Sequence, residues 1–195
     1  MPESMTLNAS DRELLLGGQK SGKSRAAEMR AVAWLATSRR EALLIATARA
    51  GDAEMAARIA RHRADRALRV PGLRTLEEPL ALAQAIEQAS RPERLVIVDC
   101  LTLWLTQIAF PLTGAPACAS TVERQCERLV DAVRAAPGAV VLVSNEISLG
   151  LIAMDADTRR FVDMLGRLHQ RIAAACTHVT LLVAGCELPV KRSAP

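Results

Sequence analysis

Short apolar runs alternate along the chain with longer segments in which apolar residues recur every three or four positions. The apolar runs predict buried parallel strands over Glu13 to Gly17, Ala42 to Thr47, Leu95 to Cys100, Ala139 to Ser144 and His178 to Ala184. The longer segments predict helices over Gly22 to Thr37, Ala53 to Arg66, Glu77 to Ala89, Leu101 to Ile108, Thr121 to Ala135 and Asp157 to Ala175. This alternation indicates βαβ units, so the expected fold is an α/β domain with a mainly parallel sheet and helices on both faces.

The length and composition fit one such domain. The chain has 195 residues, half of them hydrophobic, which is enough for one substantial core. We expect a single domain over residues 13–192, preceded by a tail at residues 1–12. No run of about 18 apolar residues occurs, and the first residues show neither a basic nor an apolar signal segment. These features predict a cytoplasmic protein without membrane insertion.

Charge and cysteine usage narrow the classes of partner. The formal net charge is +4, but the chain has no Tyr, two Phe and two Trp, so it offers few aromatic platforms for nucleic acid bases. Most arginines alternate with acidic residues along the predicted helices, as on solvated helix faces. The five cysteines are odd in number and form no CxxC pair, which argues against a disulfide framework and a zinc site. Nucleic acid is therefore not an expected partner.

The stretch GGQKSGKS satisfies the pattern GxxxxGK[ST] between a predicted strand and a predicted helix, the context of a P-loop. Its glycines let backbone N–H groups turn toward phosphate oxygens at a helix N-terminus. Lys23 would neutralise the β- and γ-phosphates, and Ser24 would offer its hydroxyl to Mg²⁺. A glycine-rich turn without a ligand is the alternative, but it leaves Lys23 unexplained. The predicted phosphate-binding residues are Gly17, Gly18, Gln19, Lys20, Ser21, Gly22, Lys23 and Ser24.

A carboxylate follows a second buried strand. Asp99 comes directly after four apolar residues, so it should lie at the carboxyl edge of the sheet, where ligands bind in open α/β folds. It fits a Walker B acid that holds Mg²⁺ directly or through water. An N-cap for the following helix is an alternative that is compatible with this role.

A basic stripe with one histidine lies on the second predicted helix. Arg58, His62 and Arg66 are spaced by four residues and therefore share one helix face. Neighbouring positive charge disfavours imidazolium, which leaves a lone pair on His62 near neutral pH, and the arginines suit a polyphosphate. This arrangement fits a nucleophile that attacks phosphorus and carries a nucleotidyl group. A solvent-facing basic stripe is the alternative.

Six segments together carry a resemblance to a known enzyme family: GGQKSGKS, IATARAGDAEMAARIARHR, TLEEP, VIVDCLTLWLTQ, VSNEISLG and LGRLHQRIAAACTHVTLLVAG. In this order they resemble the bifunctional adenosylcobinamide kinase / adenosylcobinamide-phosphate guanylyltransferase of cobalamin biosynthesis. The match runs from about Glu13 to Lys191. It implies a P-loop NTPase fold of RecA-like type and a homotrimer.

The resemblance also implies two successive reactions. First, the aminopropanol hydroxyl of adenosylcobinamide takes the γ-phosphoryl group of ATP or GTP. GTP then guanylylates a histidine, which by motif position is His62, and pyrophosphate leaves. The GMP group finally passes to adenosylcobinamide phosphate and gives adenosylcobinamide-GDP. Mg²⁺ is the implied cofactor.

Further site residues follow from the same resemblance. The implied nucleotide-binding residues beyond the P-loop are Thr47, Ala48, Arg49, Arg63, Ala64, Asp65, Arg66, Glu77 and Asp99. Glu77 has the alternative role of a first-turn acid of its helix. Asn145 and Glu146 end the fourth predicted strand, where they could sense phosphate or accept a substrate proton, or where Glu146 could cap a helix or pair with an arginine. Arg58 is a further candidate substrate contact.

Several positions differ from what is common in the resembled family: RALRVPGLRT replaces the usual RPxxW after the histidine, and LIAMD lacks an expected proline. Ser148 stands where a glycine is usual, and His169 stands where an asparagine is common. His169 is expected to be structural, at a helix interface. The alternative functions are a plain P-loop small-molecule kinase without covalent nucleotidylation, a RecA-like ATPase acting on nucleic acid, and a regulator that holds nucleotide without turnover.

Overall fold

The computed structural model describes residues 7–51, 53–150 and 155–192, without the side chains of residues 53–55, 58 and 62. The strands in this part of the chain are β1 (Arg12–Gly17), β2 (Glu41–Ala46), β3 (Leu73–Glu77), β4 (Arg94–Asp99), β5 (Val140–Asn145), β6 (His178–Val183) and β7 (Cys186–Arg192). The helices are α1 (Lys23–Leu35), α2 (Ala53–Arg69), α3 (Leu82–Ala89), α4 (Leu101–Ala109), α5 (Ala119–Ala135) and α6 (Ala156–Ala175).

The strands form one sheet in the order β3-β2-β4-β5-β1-β6-β7. Every neighbouring pair is parallel except β6 and β7, which form an antiparallel hairpin. Gly17 at the end of β1 is opposite Asn145 of β5, and Asp99 at the end of β4 is opposite Val143. The carboxyl ends of these three neighbouring strands therefore meet at one edge of the sheet.

Two hydrophobic layers cover the sheet. On one face Trp34 of α1 packs with Leu15 and Val141, and on the other face Trp104 of α4 packs in a cluster with Leu14 and Leu142. Helices α3, α5 and α6 contribute to the second cluster. Neighbouring strand residues alternate between the two clusters because side chains along a strand point to opposite faces. The predicted α/β fold with helices on both faces is confirmed.

The prediction of a helix from Glu77 to Ala89 is wrong at its start. Residues Leu73–Glu77 form β3 at the edge of the sheet, and α3 begins only at Leu82. An edge strand with one largely exposed face lacks the apolar run by which buried strands are found. Pro79 lies between the two elements and does not favour a helix interior. The alternative role of Glu77 as a first-turn helix acid is therefore excluded.

Strand β7 was absent from the sequence prediction. All its residues are exposed, so it has no buried apolar pattern to detect. Its pairing depends on a two-residue turn at Ala184 and Gly185, which have φ values of 51° and 82°. Two successive positive φ values are those of a type I′ hairpin turn.

None of the described helices is both long enough and apolar enough to cross a membrane. The five cysteines are free thiols: Cys100, Cys126 and Cys176 are buried, and Cys118 and Cys186 are exposed. The described residues contain no cluster of three or more His, Cys, Asp or Glu side chains that could hold a metal ion.

Candidate active site

The P-loop connects β1 to α1 through a backbone that requires glycine at its two ends. Gly17 has a φ of 154°, and a Cβ at this position would lie 2.4 Å from the carbonyl oxygen of Leu182. Gly22 has a φ of 104° and directly precedes α1. These values lie where residues with a side chain are strained. The sequence pattern thus fixes the course of the loop around the helix N-terminus.

Lys23 is bound to the loop that it follows. Its Nζ donates hydrogen bonds to the carbonyl oxygens of Gly17 and Gly18, at 2.8 and 2.6 Å. The residue is only 7% exposed. Burial lowers the pKa of the ammonium group, and the nearby Cys100 and Asp99 oppose that shift. The cation is therefore held by the loop, and no carboxylate of the described residues forms an ion pair with it, so a phosphate would supply the balancing negative charge.

Asp99 and Ser24 form the donor set expected for Mg²⁺. The Ser24 side chain lies near the carboxylate of Asp99 and acts to lower its pKa. Asp99 retains some accessible surface, but most of its surroundings are protein, and this loss of solvation raises its pKa against the opposing effects of Ser24 and Arg66. A hydroxyl and one carboxylate oxygen are hard ligands of the kind that hold Mg²⁺ together with substrate phosphates. The residues present therefore fit the ion.

A cavity of about 650 Å³ opens at this edge of the sheet. Six segments of the chain contribute to its lining, which includes most of the predicted site residues. The lining residues are Gln19, Lys20, Ser21, Gly22, Lys23, Ser24, Arg25, Ala46, Ala48, Ile59, Arg63, Arg66, Thr75, Glu77, Asp99, Cys100, Leu103, Val143, Asn145 and Ile147. The cavity volume lies in the range of small-molecule and cofactor sites.

Helix α2 borders the cavity through Arg63 and Arg66. Arg66 is 8% exposed, and its Nε has no hydrogen-bond partner among the described residues. Arg63 is exposed and lies 3.5 Å from a carboxylate oxygen of Glu77. At Arg66 the predicted basic stripe is therefore buried rather than solvated. His62 precedes Arg66 by one turn of the same helix, but its side chain and that of Arg58 lie outside the described part of the structure.

Glu28 is a site residue that the sequence did not reveal. It lies on α1 and is 3% exposed. Its carboxylate accepts two hydrogen bonds from Arg69, at 2.7 and 3.0 Å, and lies 3.6 Å from Nε of Arg66. These contacts hold α2 against the helix that follows the P-loop. The sequence contains one indication that Glu28 is buried: it lies among alanines of α1 that face the core.

A second cavity of about 730 Å³ runs along α2 beside the first. Its lining includes Arg49 and Ala64, two predicted nucleotide-binding residues that do not line the first cavity. Ala48, Arg63 and Glu77 line both. The remaining predicted residue of α2, Asp65, is half exposed and lies 4.0 Å from Arg69. The structure therefore gathers residues of β2, α2 and β3 into one continuous region next to the P-loop.

Thr47 has a different position from its neighbours. It is fully buried and lines neither cavity. Its hydroxyl donates to the carbonyl oxygen of Cys100 and accepts from the Cys100 N–H, at 2.7 and 2.8 Å. Both hydrogen-bonding capacities of the hydroxyl are thus used to join β2 to the connection between β4 and α4. This contact positions Asp99 rather than a ligand.

Asn145 and Glu146 lie on different sides of the chain at the end of β5. Asn145 lines the first cavity, whereas the carboxylate of Glu146 accepts hydrogen bonds from the N–H and hydroxyl of Ser148. The other carboxylate oxygen lies 3.7 Å from Nδ1 of His169 on α6. Burial lowers the pKa of His169, although Glu146 opposes that shift. His169 is thus buried against the end of β5, where it contacts Ser144 and a candidate site residue.

The fold and the site define a P-loop nucleotide-binding protein of the α/β class. The solved structure of the flagellar accessory protein FlaH from Methanocaldococcus jannaschii superposes with a TM-score of 0.53, at 9% identity, over 96% of this chain and 80% of that chain. At this identity the likeness concerns the fold alone.

A sequence model of the family CobU, cobinamide kinase / cobinamide phosphate guanyltransferase, matches residues 13–190. The bifunctional adenosylcobalamin biosynthesis protein CobP of Pseudomonas aeruginosa is 46% identical over 92% of this chain and 97% of its own length. CobU of Escherichia coli K12, with the same description, is 33% identical over 91% of this chain and 98% of its own length. The chain belongs to the cobinamide kinase / cobinamide phosphate guanyltransferase family, which confirms the resemblance found in the sequence.

Proposed function

We propose that this chain carries out both reactions in the description of its family. It phosphorylates adenosylcobinamide with ATP or GTP, and it then transfers GMP from GTP to adenosylcobinamide phosphate. The products of the second reaction are adenosylcobinamide-GDP and pyrophosphate. The proposal includes a homotrimer, as the family resemblance implies, working in the cytoplasm where ATP and GTP are available.

One observation carries this proposal. A single cavity is lined both by the P-loop residues Lys23 and Ser24 and by Arg63 and Arg66 of α2. These two arginines lie directly after and one turn after His62 in the sequence. If a nucleotide binds with its phosphates at Lys23, helix α2, which carries His62, forms the adjacent surface of its binding site. This supports one nucleotide site that serves two transfers.

The P-loop residues supply the chemistry of both transfers. The ammonium group of Lys23 and the loop N–H groups would stabilise negative charge that develops on the phosphates. Ser24 and Asp99 would hold Mg²⁺, which when bound shields the phosphate charge from the attacking group. Asn145, at the rim of the cavity, would contact the terminal phosphate. These groups act on whichever phosphorus atom is attacked.

The guanylyl transfer requires a nucleophile within the protein. In the proposal, a neutral nitrogen of His62 attacks the α-phosphorus of GTP, and the bond to the pyrophosphate oxygen breaks. The adenosylcobinamide phosphate then attacks the same phosphorus and releases His62. Two displacements allow the acceptor to bind after pyrophosphate has left, so one site can receive both partners. Arg58, Arg63 and Arg66 would hold the phosphates during these steps.

Product analysis tests this function. The wild-type protein and His62→Ala are each incubated with adenosylcobinamide, Mg²⁺, ATP and GTP, and the corrinoid products are separated and identified by mass spectrometry. The proposal expects adenosylcobinamide-GDP from the wild type and accumulated adenosylcobinamide phosphate from His62→Ala. A wild type that stops at the phosphate would instead establish the plain small-molecule kinase. A wild type that modifies no corrinoid would contradict both.

A further inference from the structure

Both oxygens of the Glu146 carboxylate have neighbouring polar groups, and one of them accepts hydrogen bonds. Oε1 accepts from the backbone N–H of Ser148 at 2.6 Å and from the Ser148 hydroxyl. Oε2 lies 3.7 Å from Nδ1 of His169. The side chains of Glu146 and His169 are only 15% and 9% exposed. The carboxylate therefore has a defined orientation in an environment with little water.

A chain of hydrogen bonds orients the ring of His169. The Asn145 N–H donates to Oγ1 of Thr102 at 2.8 Å, and this hydroxyl lies 3.0 Å from Oγ of Ser144. Oγ of Ser144 in turn lies 2.7 Å from Nε2 of His169. Because Nε2 is directed to Ser144, Nδ1 is the ring nitrogen that faces Glu146.

Glu146 is adjacent to the P-loop lysine. The backbone N–H of Glu146 donates to the carbonyl oxygen of Gly17 at 2.9 Å, and the same oxygen accepts from Nζ of Lys23 at 2.8 Å. The residues on either side, Asn145 and Ile147, line the nucleotide cavity. The backbone of Glu146 thus lies beside the cavity, next to the cation that would bind the terminal phosphates.

The partners of Glu146 distinguish it from the other carboxylates at this edge of the sheet. Asp99 lies beside Ser24, and Glu77 is paired with the cation of Arg63. Among the described residues, the carboxylate of Glu146 contacts Ser148 and His169, and neither of these is an arginine or a lysine.

We propose that His169 is a positioning residue of the phosphoryl-transfer step and acts by holding Glu146 as the proton acceptor. The substrate hydroxyl oxygen bonds to the γ-phosphorus while the bond from that phosphorus to the bridging oxygen breaks. The hydroxyl proton passes to Glu146, and the nucleoside diphosphate leaves; solvent later removes the proton from Glu146. This inference rests on the kinase half of the proposed function. The guanylyl transfer does not use this proton acceptor.

A matched pair of amide substitutions separates the two contacts of His169. In His169→Asn the side-chain amide can occupy the place of Nδ1 and donate to Glu146, but it cannot reach Ser144. In His169→Gln the longer amide reaches the place of Nε2 and retains Ser144, but it loses Glu146. Steady-state kinase kcat and KM for adenosylcobinamide are measured for both variants, for Glu146→Gln, and for the double variant with Glu146→Gln and His169→Gln. The rate of covalent guanylylation by GTP reports the integrity of the fold.

The inference predicts a specific order of effects on kinase kcat. Glu146→Gln should lower it by about 100-fold or more, as expected for loss of a general base. His169→Gln should lower it roughly tenfold with KM unchanged, in the range for residues that orient a functional group, whereas His169→Asn should stay within about threefold of the wild type. In the double variant His169→Gln should add no further loss. Guanylylation should be unchanged in His169→Asn and His169→Gln.

Other outcomes would overturn the inference. Wild-type kinase rates in Glu146→Gln would show that Glu146 is not the proton acceptor. Equal losses in His169→Asn and His169→Gln, or a parallel loss of guanylylation, would show a purely structural role. A wild-type protein that does not phosphorylate adenosylcobinamide would refute the proposed function itself, and this result is visible before any variant is compared.

Discussion

The carboxylate of Glu28 accepts two hydrogen bonds from the guanidinium group of Arg69, at 2.7 Å from Nε and 3.0 Å from Nη2. This contact joins α1, which begins at the P-loop lysine, to α2, which carries His62. The side chain of Glu28 is 4% exposed, and Arg66 is a second cation beside it. The two helices that border the nucleotide cavity are thus connected through one buried acid.

Glu28→Ala should destabilise the protein measurably. We expect the free energy of unfolding to fall by about 2–3 kcal/mol, less than the about 3–5 kcal/mol for a fully buried pair because Arg69 is 42% exposed. Urea denaturation measures the change. The control is Asp131→Ala, which removes an exposed partner of Arg134 at 3.8 Å and should cost less than about 1 kcal/mol. Equal losses in the two variants would show that the buried contact does not stabilise α2.

Gly17 and Gly18 are adjacent in the sequence but should respond differently to alanine. A Cβ at Gly17 would lie 2.4 Å from the carbonyl oxygen of Leu182 and 2.6 Å from Oγ of Ser21, whereas a Cβ at Gly18 would meet no atom within 4 Å. Gly17→Ala should therefore lower the free energy of unfolding by more than about 1 kcal/mol. Gly18→Ala should stay within about 0.5 kcal/mol of the wild type. Similar values for the two variants in urea denaturation would contradict the described course of the P-loop.

Lys23→Met should impair both transfers. The substitution keeps much of the buried stem but removes the ammonium group that donates to Gly17 and Gly18, so both rates should fall by at least about 100-fold. Lys191→Met is the matched control, since Nζ of Lys191 also donates to two carbonyl oxygens, those of Ala173 and Cys176, away from the cavity. The two rates are measured separately, as corrinoid phosphorylation and as covalent labelling by GTP. Unchanged labelling in Lys23→Met would show that GTP binds elsewhere.

Cys118 should be the most reactive thiol near neutral pH. Hydrogen bonds from Ser120 and Thr121 lower its pKa to about 7, whereas burial raises the pKa of Cys100 to about 11. The thiolate is the nucleophile, so the alkylation rate should rise with pH and reach half of its maximum at about pH 7. Peptide mapping after brief treatment with iodoacetamide at several pH values measures this, with Cys118→Ser as the control. A midpoint at about pH 8.5, the ordinary value for cysteine, would contradict the prediction.

The sequence predicted those parts of the site that depend on local chemistry. The P-loop was recognisable because its glycines, Lys23 and Ser24 have a fixed spacing, and Asp99 because it ends a buried strand. The edge strands β3 and β7 were not predicted because their stability comes from pairing with β2 and β6 rather than from an apolar run. Their detection would have required knowledge of the neighbouring strand.

The sequence also did not predict contacts between residues that are far apart in the chain. The alanines around Glu28 indicate a buried helix face, but only the packing of α2 shows that Arg66 and Arg69 are the partners of this acid. Ser148 and His169 were noted in the sequence only as departures from the resembled family. In the structure both contact Glu146, although 21 positions separate them. These two differences from the resembled family therefore both lie next to Glu146.

The intact mass of the protein after incubation with Mg²⁺ and GTP tests the central claim most directly, with His62→Ala measured in parallel. The account predicts an acid-labile mass increase of one GMP group on the wild type and none on His62→Ala. Binding of GTP to both proteins is verified independently. A wild type that binds GTP without gaining this mass, or an equal gain on His62→Ala, would contradict a guanylyl transfer through His62.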